Sequence, residues 1–109
     1  MAVAGLLTLV LLGLLQVTLA LHVRNTLVDC ASEGARYGGL ADRTPADGAA
    51  RTRQLIGMSL GEGYAGDVTA RYTTTGGLRV VEVTVEAPVP AIGLWGPGRL
   101  QARGHGTVE

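Results

Sequence analysis

The spacing of apolar and polar residues changes character three times along this chain. From Met1 to Leu21 it reads MAVAGLLTLVLLGLLQVTLAL, with no charge and only Thr8, Gln16 and Thr18 polar. As a helix this stretch spans about 31 Å, close to the roughly 30 Å of a bilayer's hydrocarbon core. Beyond it the apolar positions thin to Val23, Leu27, Cys30, Gly34 and Tyr37, spaced four, three, four and three. That is one stripe of a helix, with Asn25, Asp29, Ser32, Glu33 and Arg36 mostly elsewhere on its surface. No break separates the two stretches, so one helix of about 37–40 residues is predicted, with Gly38-Gly39 as its terminator.

Thr44-Pro45 opens a second helix, with Thr44 as cap and Pro in the first turn. Ala49, Ala50, Arg53, Leu55, Ile56 and Leu60 give it a modest amphipathic pattern that ends near Gly61. From Gly66 the period falls to two. Val68, Ala70 and Tyr72 alternate with Thr69, Arg71 and Thr73; Gly76-Gly77 supplies a hairpin turn; Val81, Val83, Val85 and Ala87 alternate with Glu82, Thr84 and Glu86. Val80 breaks the phase and predicts a bulge near Val80-Val81. Leu100, Ala102, Gly104, Gly106 and Val108 form one face of a third strand, whose glycines leave room for the long helix. Three strands with one apolar face need a cover, and the protruding helix is the available one.

Three readings compete for Met1–Leu21: a membrane anchor, a cleaved signal and the buried helix of a soluble protein. A secretory signal has a basic start and a shorter apolar core; here no Lys or Arg precedes the core, and Thr18-Leu19-Ala20 is a poor cleavage site. The rest of the chain is too small a body to bury such a helix. The anchor is the favoured reading, with Ala2, Leu6, Leu9, Leu12, Leu15 and Leu19 among the membrane-spanning positions. Arg24 and Arg36, balanced by Asp29 and Glu33, weakly favour a cytoplasmic C-terminal domain by charge.

Composition narrows the function further. The formal net charge is zero and all nine basic residues are scattered arginines, which argues against nucleic acid. The single Cys30 forms no internal disulfide. Leu27-Val28-Asp29-Cys30 is a poor lipidation signal because Asp29 stands where a small neutral residue is wanted. Packing is the favoured role of Cys30. Gly61-Glu62-Gly63-Tyr64-Ala65-Gly66 matches G-x-G-x-x-G, but follows a predicted helix and precedes a strand, the reverse of a dinucleotide site. His22 and His105 have no second metal ligand at suitable spacing, and Glu82 and Glu86 fit an exposed strand face. No catalytic, cofactor-binding or metal-binding set emerges, and no small-molecule substrate is expected. Between the last two strands, the apolar but Pro- and Gly-broken run around Ile92, Leu94 and Trp95 is either a loop over the core edge or a patch for a partner or the lipid interface.

The run L-A-L-H-V-R-N-T-L-V-D-C-A-S-E-G-A-R-Y, Leu19 to Tyr37, resembles the TadE-like family, minor pilins or pseudopilins of the tight-adherence (Flp-type) pilus machinery. The residues that carry the resemblance are Arg24 and Asn25 and then Glu33, Gly34, Ala35, Arg36 and Tyr37. The resemblance implies a C-terminal domain outside the cytoplasmic membrane, against the charge count, and a role in building a thin surface filament or related secretion apparatus. Such subunits exchange lipid for neighbouring helices. The family pattern also includes a polar leader and a Glu near the start of the apolar run. Ala4 and Gly5 stand there instead, so a coding start upstream of Met1 is expected; the alternative is a permanent, unprocessed anchor.

The expected fold is therefore α+β and pilin-like: a transmembrane helix over 1–21, an amphipathic continuation over 22–41, and a small extracytoplasmic domain over 42–109. The expected partners are membrane lipid and other pilin-like or pilus-assembly proteins. A single-pass envelope binding module, outside any filament, is the alternative.

Overall fold

The computed structural model describes residues 1–88 and 99–109; the predicted loop with Ile92, Leu94 and Trp95 lies outside the described residues. One helix, α1, runs from Ala2 to Gly38, and the molecule measures 63 × 29 × 18 Å because half of that helix projects from the rest. A second helix, α2 (Pro45–Ser59), and three strands, β1 (Asp67–Thr75), β2 (Leu78–Pro88) and β3 (Arg99–Thr107), complete the α+β fold. The sheet is antiparallel in the order β1-β2-β3.

Each boundary has a local cause. Thr44 accepts a hydrogen bond from the Asp47 backbone N–H, and the Asp47 carboxylate accepts from the Thr44 N–H at 2.9 Å, a reciprocal cap with Pro45 in the first turn. Gly76 (φ 59°) and Gly77 (φ 81°) make the tight turn between Thr75 and Leu78, where left-handed backbone is required. The end of α1 falls at Gly38-Gly39, as the sequence predicts. Gly39, the C-cap, keeps an ordinary helical φ of −83°. Both glycines serve close approach: a Cβ on Gly38 would press on Gly48, and one on Gly39 would strike the Thr107 carbonyl.

The core lies between the two helices and one face of the sheet. Leu27, Ala31 and Ala35 from α1, Ile56 from α2, and Val81, Val83, Val85 and Ala87 from β2 are fully buried. Fully burying an aliphatic side chain of this size contributes about 1.5–3 kcal/mol, so β2 and the upper half of α1 dominate the apolar term. On α2 the buried positions are Gly48, Ala49, Thr52 and Ile56, with Ala50 and Arg53 exposed. Thr52 tolerates full burial because its hydroxyl donates to the Gly48 carbonyl at 2.8 Å. Arg53 donates to the Val68 carbonyl at 2.8 Å, tying α2 to β1.

The predicted bulge is absent. Pairing is continuous through Thr73↔Val80 and Tyr72↔Val81 on one side, and through Val80↔Thr107 and Val81↔Gly106 on the other. Val80 lies on the outer face of the central strand yet is only 9 % exposed, since threonines flank it on both neighbouring strands. An apolar residue there fits without any change of register.

Glycine governs how near the layers come. A Cβ on Gly104 would collide with the backbone of Ala31 and Ser32, and one on Gly106 would lie 2.5 Å from the Ala35 carbonyl. On the other side of α1, a Cβ on Gly34 would strike the Thr52 hydroxyl, and one on Gly48 would lie 2.7 Å from the Gly34 carbonyl and 3.2 Å from the Gly38 Cα. Replacing Gly34 by Val should therefore lower stability by about 2 kcal/mol or more through overpacking, seen as a fall in the thermal midpoint of the detergent-solubilised protein. Gly63→Ala, where nothing lies within 4 Å of the added carbon, should stay within about 0.5 kcal/mol of the parent.

Candidate functional site

The projecting half of α1 is the largest chemically distinctive surface among the described residues. Over its most apolar stretch none of the helix is buried, and it is long and apolar enough to cross a membrane. Leu6, Leu9, Leu12, Leu15 and Leu19 are each about half exposed or more, and Ala2 is exposed beside them. Its hydroxyls are reconciled with an apolar setting. Thr8 donates to the Ala4 carbonyl at 2.9 Å and Thr18 to the Leu14 carbonyl at 2.8 Å, the internal satisfaction that hydrocarbon requires of polar groups.

Above Leu21 the same helix turns its stripe inward. Val23, Leu27, Cys30 and Gly34 are buried, and Ala31, Ala35 and Gly38 join them. Tyr37 is half-buried at the margin, with the Arg43 guanidinium 4.9 Å from its ring centre. Burial pushes the Cys30 thiol above its ordinary pKa, opposed by a hydrogen bond with the Ser59 side chain and reinforced by the charge of Asp29; such a thiol is a packing group, not an activated nucleophile.

Glu33 and Arg36 form an exposed ion pair one turn apart. Gly34 admits Thr52 of α2, and Ala35 packs beside Gly106 of β3. Arg24 and Asn25 are exposed just above the apolar span.

The remaining candidates resolve into structure. Gly61–Gly66 forms a short 3-10 turn, Glu62–Tyr64, between α2 and β1. His22 is exposed. No group of three or more His, Cys, Asp or Glu side chains able to hold a metal occurs among the described residues. Glu82 is not the exposed group its strand pattern suggests: it is 9 % exposed and held between strands in direct register with Arg71 and His105. Arg71 donates to Glu82 Oε1 at 3.2 Å, and His105 Nε2 to Oε2 at 3.0 Å. Counting outward from the Gly76-Gly77 turn pairs Arg71 with Glu82, whereas His105 lies on β3, whose register that turn does not set.

The His105 hydrogen bond, outweighing desolvation and aided by Arg71, holds the Glu82 carboxyl below the ordinary glutamate range. A lowered carboxyl pKa adds stability that is complete above the unfolded value, about 4.3, and is lost as pH falls through the folded one. Glu82→Gln should cost about 1 kcal/mol at neutral pH and flatten the acid limb of stability below about pH 4.3, measured by denaturant titration across pH.

Residues 2–36 match the family model described as TadE-like protein. No curated protein and no solved structure matches the chain. The matched segment is α1 almost in full, from the exposed apolar half to the end that packs on α2 and β3. Over this first third of its length the chain carries the TadE-like pattern, and that is the family it resembles.

Proposed function

We infer that this chain is a membrane-anchored minor pilin or pseudopilin-like structural protein, serving assembly of a tight-adherence type pilus or a related secretion apparatus. Its role is structural rather than enzymatic. The observation that carries the reading is the division of one unbroken helix: residues 23–38 are packed into the domain by close backbone contacts, while the preceding apolar stretch is wholly uncovered. A helix built this way inserts in lipid and presents the same surface to other apolar helices when lipid is removed. The small domain then stands on the extracytoplasmic side.

Three measurements test this. The chain should sediment with membranes and appear in sheared surface filaments of cells that make them; a soluble secreted product beginning near Leu21 would contradict the reading. Thr75→Cys, at the exposed hairpin, should react with a membrane-impermeant maleimide on whole cells in a Cys30→Ala background. Leu12→Arg places a charge near the middle of the apolar span at a cost of about 3 kcal/mol, so the equilibrium constant for membrane insertion should fall by roughly a hundredfold.

A further inference from the structure

The run Met58-Ser59-Leu60-Gly61-Glu62-Gly63-Tyr64-Ala65-Gly66 has no part in the reading above. Its height on the molecule follows from the contacts of α2. Gly48, near the start of that helix, lies against Gly34 and Gly38. Ser59, at its end, shares a hydrogen bond with Cys30 and lines one surface cavity with Thr26, Asp29 and Leu55. So α2 descends toward the apolar span. The outer strands ascend: Gly104 of β3 meets Ala31, Gly106 meets Ala35 and Thr107 meets Gly39, and β1 runs parallel to β3 because both are antiparallel to β2. Residues 60–66 join a descending helix to an ascending strand and form the foot of the domain.

That foot stands at the height of lipid headgroups. Thr26, on the same cavity as Ser59, is about 7.5 Å above Leu21 along α1. Val23, about 3 Å above Leu21, is already buried, so the domain comes down to the edge of the charge-free span. Headgroups extend about 5–7 Å beyond the hydrocarbon core on each side. The side chains of the foot suit that layer. Met58 is 76 % exposed, more than any other large apolar side chain outside the projecting half of α1 among the described residues. Leu60 and Tyr64 pack on the core and are half-buried. Glu62 is the one charge in the run, and the space beside Gly61, Gly63 and Gly66 is open.

We propose that this foot is a second lipid contact, with Met58, Leu60 and Tyr64 resting in the headgroup layer of the leaflet from which α1 emerges. The inference rests on the membrane-anchor reading. The occupant is lipid because the foot continues the apolar surface of α1 at the height where the helix leaves the hydrocarbon, and a tyrosine, with an apolar body and a polar tip, is favoured in that layer. The only charge being negative, the contact is driven by burial of apolar surface and not by attraction to anionic lipid. The contact also bears on how α1 stands. Transmembrane helices tilt by about 20° on average. Met58 lies on the α2 flank, so tilt toward that flank presses it into the headgroups and tilt away lifts it out, and the foot selects the direction of lean.

The test uses the full-length chain in phosphatidylcholine nanodiscs, in a Cys30→Ala background, with one nitroxide at a time on Met58→Cys, Gly63→Cys, Val10→Cys or Thr75→Cys. The readout is the ratio of collisions with oxygen, which partitions into lipid, to collisions with a water-soluble nickel chelate. Val10 should read as hydrocarbon and Thr75, at the far hairpin, as water. Met58 and Gly63 should lie between them, severalfold above Thr75, and hold that value in about 1 M salt, where surface charge is screened. Met58→Asp should bring the ratio at Gly63 down toward that at Thr75 while Val10 keeps its own. Ratios at Met58 and Gly63 equal to that at Thr75, with Val10 in lipid, would overturn the proposal and leave the anchor standing. A water-like ratio at Val10 would overturn the anchor reading, and the lipid contact of the foot with it.

Discussion

The structure depends on how closely the backbone of α1 approaches its two neighbours. Gly104 and Gly106 bring β3 against the main chain at Ala31–Arg36, while Gly34, Gly38 and Gly48 bring α2 to the opposite flank. A side chain at Gly34, Gly104 or Gly106 would separate the layers. The close approach compensates for a small body with few large side chains: the described core relies on Val, Ala and a few larger aliphatics such as Leu27 and Ile56. At such short range even small groups are fully covered, and dispersion contacts grow with packing density.

This packing explains why one helix can serve two environments. Its upper half is held by contacts spread from Val23 to Gly39, so the lower half is a lever fixed to the domain and not a hinged tail. No proline occurs within it, and Thr8, Thr18 and Thr26 bond to carbonyls one turn back. The change from solvent-free packing to an uncovered apolar surface happens within about one turn, at Leu21–Val23. Above that turn, no buried side-chain N or O among the described residues lacks a partner.

Much of this was legible in the sequence because period is a direct projection of geometry. The four-three spacing from Val23 to Gly34 marked the face that packs, and strict alternation in β3 placed Gly104 and Gly106 on the helix side. What escaped has physical reasons. Thr52 looks polar but becomes a core residue by bonding its own helix, so hydropathy hides it. Val80 was misread as a phase error because an outer position on a central strand can be covered by flanking threonines. Gly38-Gly39 ends α1 as the sequence predicts, but the close contacts of the pair with Gly48 and Thr107 exist only in the packed domain. Glu82 joined an inter-strand row that depends on register, which hydropathy does not encode. The TadE-like pattern singles out α1, while the contact made by Gly34 is visible only with α2 in place.

The central claim is that α1 is one rigid element fixed to the domain through glycine-mediated contacts. Double electron–electron resonance between nitroxides at Val10 and Thr75, in a Cys30→Ala background, tests it most directly. The account predicts a single narrow distance distribution, the same in detergent and in lipid nanodiscs, that broadens on Gly34→Val. A broad or bimodal distribution in the parent protein would contradict it, showing a hinge between the apolar half of the helix and the domain.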